Sequence, residues 1–216
     1  MTSALYKAEI LRYLKSPDTL VLSLIFPPLV LIMKLVGIVD FEKVHTGSLL
    51  LLHLLLLHLP SLVDTLFLSR SFLSRGFMIQ SKTVGREASL ATVFFLITIS
   101  LLRMFIILLS YFILGFVLLS SLSMIAIEVV MMILVSSIYS LLFTSVSCYL
   151  GCDWLTLSSG IILTFIIIFR ESISEIYSKV IELNFGYILF FSLTIGAFSW
   201  LSIYFLIKKR LDTIRE

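Results

Sequence analysis

A chain of 216 residues that is 60% hydrophobic and only 13% charged, with mean hydropathy +1.15, excludes an ordinary soluble domain, which carries about 25% charged residues. The net charge of +3 does not indicate nucleic-acid binding, because in so apolar a chain the position of the basic residues matters more than their total. Several apolar runs approach the roughly 20 residues that a helix needs to cross hydrocarbon. The expected class is an all-α integral membrane protein, built as a single transmembrane domain embedded in a lipid bilayer.

The opening "MTSALYKAEILRYLKSPD" has no compact apolar core followed by a small-residue cleavage site, so it is not expected to be a signal peptide. Tyr6, Ile10, Tyr13 and Leu14 fall on one helical stripe, with Glu9, Arg12 and Lys15 roughly opposite. That pattern predicts a short interfacial helix over residues 1–18, ending near Ser16-Pro17.

The first span is expected at about residues 20–38, kinked by Pro27-Pro28, which remove backbone donors. The second is expected at about 48–68, and a basic stretch, "SRSFLSRGFMIQSKTVGREAS", follows it. Residues 88–119 are then apolar almost without a break except Arg103, longer than one crossing requires. The economical reading splits them, with 89–100 on or near the cytoplasmic surface and 103–122 crossing as the third span. Further spans are expected at about 125–149, 155–169 and 187–207.

Six spans with both termini inside place twelve of the sixteen Lys and Arg residues, Arg103 among them, on the cytoplasmic side. Only Lys34, Lys43, Arg170 and Lys179 remain near the outer face, as the excess of basic residues in cytoplasmic segments requires. This is the pattern of a multi-pass protein of a cell membrane, here taken as a bacterial cytoplasmic membrane. The 69–100 segment becomes the one substantial cytoplasmic feature. It suits a docking element for a soluble partner, or equally a helix resting on headgroups. On the outer side, "RESISEIYSKVIELNFG" sets Ile173, Ile176, Tyr177, Val180 and Ile181 on one face, and Glu175 and Lys179 are spaced to pair. An amphipathic helix over 170–184 is expected, stopped by Asn184 and Gly186.

Candidate chemistry within the chain is sparse. His53 and His58 lie five residues apart, about 140° around a helix, which is not a two-ligand metal face. No metal site is expected. Cys148 and Cys152 read as packing residues, since two thiols without further ligands make a poor zinc site. "SSG" at 158–160 invites a serine-hydrolase reading, but both histidines fall on another span, no Gly-x-Ser-x-Gly elbow is present, and no His–Ser pair is expected. There is no G-x-x-x-x-G-K-[ST] phosphate loop, so ATP hydrolysis is not expected of this chain. No catalytic residues and no cofactor of its own are assigned.

The basic lead-in running into "LKSPDTLVLSLIFPPLVLIM", the six spans with both ends inside, the large first cytoplasmic segment and the outer helix before the last span together resemble the permease subunits of ATP-binding-cassette exporters of the type-2 membrane class. "VGREASLAT" stands as a loose echo of that family's charged, Gly-containing signature. The resemblance implies a separate ATPase subunit that carries ATP and Mg, and a second permease subunit, identical or related. It implies ATPase coupling through Arg75, Lys82, Arg86 and Glu87, and a pathway lined by the second and fifth spans, with His53, His58 and Phe165 as candidates. The implied cargo is a hydrophobic or amphipathic molecule: a peptide such as an antimicrobial peptide, a lipid-linked molecule or a drug. The competing reading is a non-transporting membrane protein, an immunity factor or assembly subunit.

Overall fold

A computed structural model describes residues 2–29, 49–75, 82–113, 122–181 and 183–213, and among these the secondary structure is helical, without strands. Helix α1 spans Thr2–Leu14. Helix α2, Pro17–Leu20, runs into a π-helical turn at Val21–Ile25, both within an apolar helix Pro17–Leu29. There follow α3 (Leu49–Arg75), α4 (Lys82–Ile113), α5 (Leu122–Tyr149), α6 (Asp153–Ile168), α7 (Arg170–Ile181) and α8 (Phe185–Thr213).

Four helices contain stretches long and apolar enough to cross a membrane: Leu50–Arg70, Arg86–Ser110, Ile125–Tyr149 and Phe185–Thr213. Helices α6 and α7 meet at a 70° bend and make a fifth if counted as one broken span. The described residues are thus all-helical, with four or five helices able to cross a membrane, an architecture that suits a multi-pass membrane protein. The sequence-derived spans at 48–68, 125–149 and 187–207 coincide with three of these helices. The remainder of the span expected at 20–38 lies outside the described residues beyond Leu29.

The expected break within residues 89–122 is corrected. The division of residues 89–100 from 103–122 is absent, because α4 is one unbroken helix of 32 residues. It contains no proline and no glycine after Gly85. Such a helix is about 48 Å long at ~1.5 Å per residue. Its extra length is covered by protein, since Ala88, Phe95, Leu96 and Ile99 are buried in a cluster with Tyr13 and Leu68. The 69–100 segment, expected as a docking element or a helix on headgroups, is mostly helix: α3 continues to Arg75 and α4 begins at Lys82, with only 76–81 between them outside the described residues.

Helix α1 is correspondingly more than an interfacial strip. It packs on α4, with Tyr6 Oη 3.0 Å from Thr98 Oγ1 and the Tyr13 ring edge-on to Phe95 and Phe67. Glu9, expected on the solvent side, is only 2% exposed, whereas Leu14 is 52% exposed. The packed face is therefore rotated from the sequence stripe toward Tyr6, Glu9 and Tyr13.

Helix α5 is the centre of the bundle and packs on α3, α4, α6 and α8. Its neighbours come close because the facing side chains are small. Helix α8 buries Ile188, Ser192, Gly196, Ser199, Ile203 and Ile207 at steps of three and four residues. A Cβ built at Gly196 would stand 3.6 Å from Ser137 Oγ. Small-residue seams of this kind let membrane helices approach where no hydrophobic force draws them together. Chain direction reverses between α5 and α6 at Gly151, whose φ of 92° is left-handed and natural for glycine.

Candidate functional site

The most highly organised polar site begins with two prolines. Pro27 has no N–H to give the carbonyl of Ser23 in an α-helix, and Pro28 has none to give it in a π-helix. The π-helical turn at Val21–Ile25, whose register is shown by Phe26 N–H bonding Val21 O, sits directly before them. An orphaned carbonyl in apolar surroundings needs a partner, and Arg103 supplies it: its Nε donates to Ser23 O at 3.1 Å. The same guanidinium donates through Nη2 to Ser23 Oγ at 2.8 Å, forms an ion pair with Asp64, and makes a long contact of 3.5 Å to Ser61 Oγ.

Asp64 is equally well surrounded. Its Oδ1 accepts from Tyr13 Oη at 3.0 Å and from Ser23 Oγ at 2.8 Å, while Oδ2 takes Arg103. Arg103 is 0% exposed and Asp64 2%. Burial, reinforced by the adjacent negative charge of Asp64, pushes the Tyr13 phenol well above its ordinary range, so it remains a donor. Four chain segments, α1, the π-helical turn, α3 and α4, are thereby tied at one point. Arg103 is not the cytoplasmic topology marker expected from sequence but the cation of a buried clamp. A signal for it was present: single opposite charges within consecutive apolar runs, in a setting where intramembrane charges nearly always pair.

A second polar contact joins α3 to α6. His58 Nε2 lies 2.7 Å from Ser159 Oγ, so the His–Ser pair that the sequence offered no sign of does exist, between α3 and α6. The imidazole is held edge-on between Tyr139 and Phe143. Its Nδ1 is buried with no hydrogen-bond partner among the described residues, so nothing there orients the ring as a catalytic base requires. The contact fits a helix–helix hydrogen bond between α3 and α6.

The sequence-derived pathway candidates do not share one surface. His53 and His58 are both buried on α3, at 0% and 4% exposure, whereas Phe165 is 59% exposed on the outer face of α6, stacked on Phe169. No group of three or more potential metal ligands forms among the described residues. Of the coupling candidates, Arg86 is exposed and Glu87 partly buried near the start of α4. The side chains of Arg75 and Lys82 lie outside the described residues. Cys148 and Cys152 are free thiols, and Cys152 packs against the main core.

At the far end of the bundle, Tyr177 of α7 is buried against Ile127, Val130 and Met131 of α5 and Ile188 of α8. Glu128 is buried in α5 at the same end, and its Oε2 and the Tyr177 hydroxyl are without hydrogen-bond partners among the described residues. Fold and sites are those of a helical bundle with four or five helices able to cross a membrane and a buried charge clamp near α1. Comparison with known proteins adds no relative: no family model, no curated protein and no solved structure matches the chain.

Proposed function

We propose that the chain is the transmembrane subunit of an ATP-binding-cassette exporter, moving a hydrophobic or amphipathic substrate outward on ATP hydrolysed by a separate subunit. The observation that carries this reading is the clamp. It makes α1 mechanically continuous with the π-helical turn, α3 and α4, so a force applied to α1 by a soluble partner is delivered to three apolar elements at once. Such rigid-body transmission is what an ATPase-driven transporter requires.

Two further features fit. Helix α6 shows a continuous apolar face of Leu157, Ile161, Phe165 and Ile168, each more than half exposed, suited to a second permease subunit. The bend into α7 puts an amphipathic helix at the bundle end opposite α1, where it would cap a substrate route. In this proposal six spans cross a bacterial cytoplasmic membrane with both termini inside, and ATP and Mg reside on the partner. The basic groups Arg75, Lys82 and Arg86, with Glu87, face that partner.

The test is a mild-detergent pull-down from the native host at native expression, with mass spectrometry of the associated proteins. A stoichiometric soluble subunit carrying a phosphate-binding loop is the expected result. Recovery of the chain alone, or with membrane proteins only, would favour the immunity-factor or assembly-subunit reading. Replacing Arg75, Lys82 and Arg86 together with Ala should abolish export while leaving membrane insertion intact; unchanged export removes their coupling role.

A further inference from the structure

A groove of about 410 Å³ opens where the α1–α2 elbow meets the last turns of α3. Its lining is sharply divided. Leu22, Val63, Leu66 and Phe67 form an apolar wall, while Arg12, Ser16, Asp18, Thr19 and Arg70 form a polar rim. Phe67 stands edge-on to Tyr13, so the groove lies against the flank of the buried clamp.

We propose that this groove holds an anionic glycerophospholipid, its phosphodiester between Arg12 and Arg70 and its acyl chains along α2 and α3. The rim carries two guanidinium groups, Arg12 and Arg70, and one carboxylate, Asp18, so cationic donors outnumber acidic groups along the lining. Guanidinium groups bind phosphate oxygens in paired, charge-assisted hydrogen bonds. Arg70 closes the apolar stretch Leu50–Arg70, the level at which headgroups meet a spanning helix and basic inter-helix pockets select anionic lipids. Ser16 Oγ and Thr19 Oγ1 are 2.7 Å apart. One hydroxyl hydrogen joins them and the other can be donated outward. A soluble phosphate would leave the four apolar side chains unused, whereas a lipid employs both halves of the groove.

The proposal does not depend on the exporter reading. It is tested by native mass spectrometry of the full-length protein in detergent, titrated with equimolar dioleoyl phosphatidylglycerol, phosphatidylethanolamine and phosphatidylcholine. Phosphatidylglycerol should be retained preferentially. The double variant Arg12→Ala, Arg70→Ala should lose about tenfold in its retention, equivalent to ~1.4 kcal/mol. Lys208→Ala, which removes an exposed charge near the end of α8, should change nothing.

Asp18→Asn separates the two headgroup chemistries. An anionic lipid should bind it as well or better, while an aminophospholipid, needing Asp18 for its ammonium, should bind worse. Preference for phosphatidylethanolamine that falls in Asp18→Asn overturns the proposal. So does equal retention of all three lipids, or undiminished phosphatidylglycerol in the double variant. Circular dichroism checks that each variant folds, and Arg70→Gln alone, at an exposed position, gives the same test if the double variant does not. Competition by inorganic phosphate at millimolar concentration would instead assign the site to a free anion and overturn the lipid assignment.

Discussion

The two ends of this bundle handle buried polarity in opposite ways. At the α1 end, Asp64 and Arg103 are surrounded by Tyr13, Ser23 and Ser61, and the clamp's charges are paired and hydrogen-bonded. At the α7 end, Glu128 Oε2 and the Tyr177 hydroxyl are buried with no such partner among the described residues. A satisfied network in a low dielectric fixes one arrangement of helices, whereas an unsatisfied one leaves the local packing less decided. The α1 end is therefore tied together by polar contacts. The α7 end, where α6 turns by 70° into an amphipathic helix, is held mainly by apolar packing among the described residues.

The largest effect should come from halving the clamp. Asp64→Leu leaves the Arg103 guanidinium buried and uncompensated, and should lower stability by about 3–5 kcal/mol. The readout is reversible unfolding in a defined detergent. Asp64→Leu with Arg103→Met removes both charges and should recover part of the loss, because an apolar replacement of a whole buried pair is often neutral, while the Ser23 carbonyl and the Tyr13 hydroxyl, left without these partners, keep the remainder. If the exporter reading holds, the double variant should nevertheless transport poorly, since Tyr13 and Ser23 lose the carboxylate that ties α1 and the π-helical turn to α3. Failure of the double variant to recover stability would mean that the clamp holds the fold itself rather than the link to α1.

Much of this architecture was legible in the chain, and its gaps have physical causes. Apolar runs of one crossing length located α3, α5 and α8, because hydrocarbon thickness sets helix length directly. The helix around the expected third span runs unbroken from Lys82 to Ile113, because hydrocarbon length alone does not count the protein cover that α1 gives its first half. The clamp escaped notice because it joins residues 39 to 80 positions apart, and no local period reports which spans become neighbours. Pro27-Pro28 announce two missing donors in the sequence itself, yet the consequence, a carbonyl awaiting Arg103, appears only in the fold. The His58–Ser159 contact, 101 positions apart, was hidden for the same reason.

The comparison between ends is sharpened by making the same change at the other acid. Glu128→Leu removes a buried carboxyl with an unmatched oxygen, so stability should rise, by about 1 kcal/mol given the usual cost of an unsatisfied buried group. Opposite signs for Asp64→Leu and Glu128→Leu in the same melt would establish that the ends differ in polar satisfaction. A loss at Glu128 comparable with that at Asp64 would remove the distinction and point to a partner for Glu128.

The smallest effect concerns the exposed face of α7. Glu175 Oε1 accepts from Lys179 Nζ at 2.6 Å, one turn apart. That hydrogen bond, together with the positive charge of Lys179, holds the Glu175 carboxyl below its ordinary range. A carboxyl lowered in the folded state adds helix stability that is fully present above its unfolded value and is lost as pH falls through its folded value. Both side chains face solvent, so salt should screen the pair strongly. Lys179→Met should raise the Glu175 titration midpoint, followed by carbon-13 NMR of the labelled carboxyl, toward that of a free glutamate, with hardly any change in the melt. A midpoint that does not move would show the pair to be unformed in solution. A large change in the melt would instead mean that α7 is held to the bundle through this turn, leaving the α7 end as firmly fixed as the clamped one.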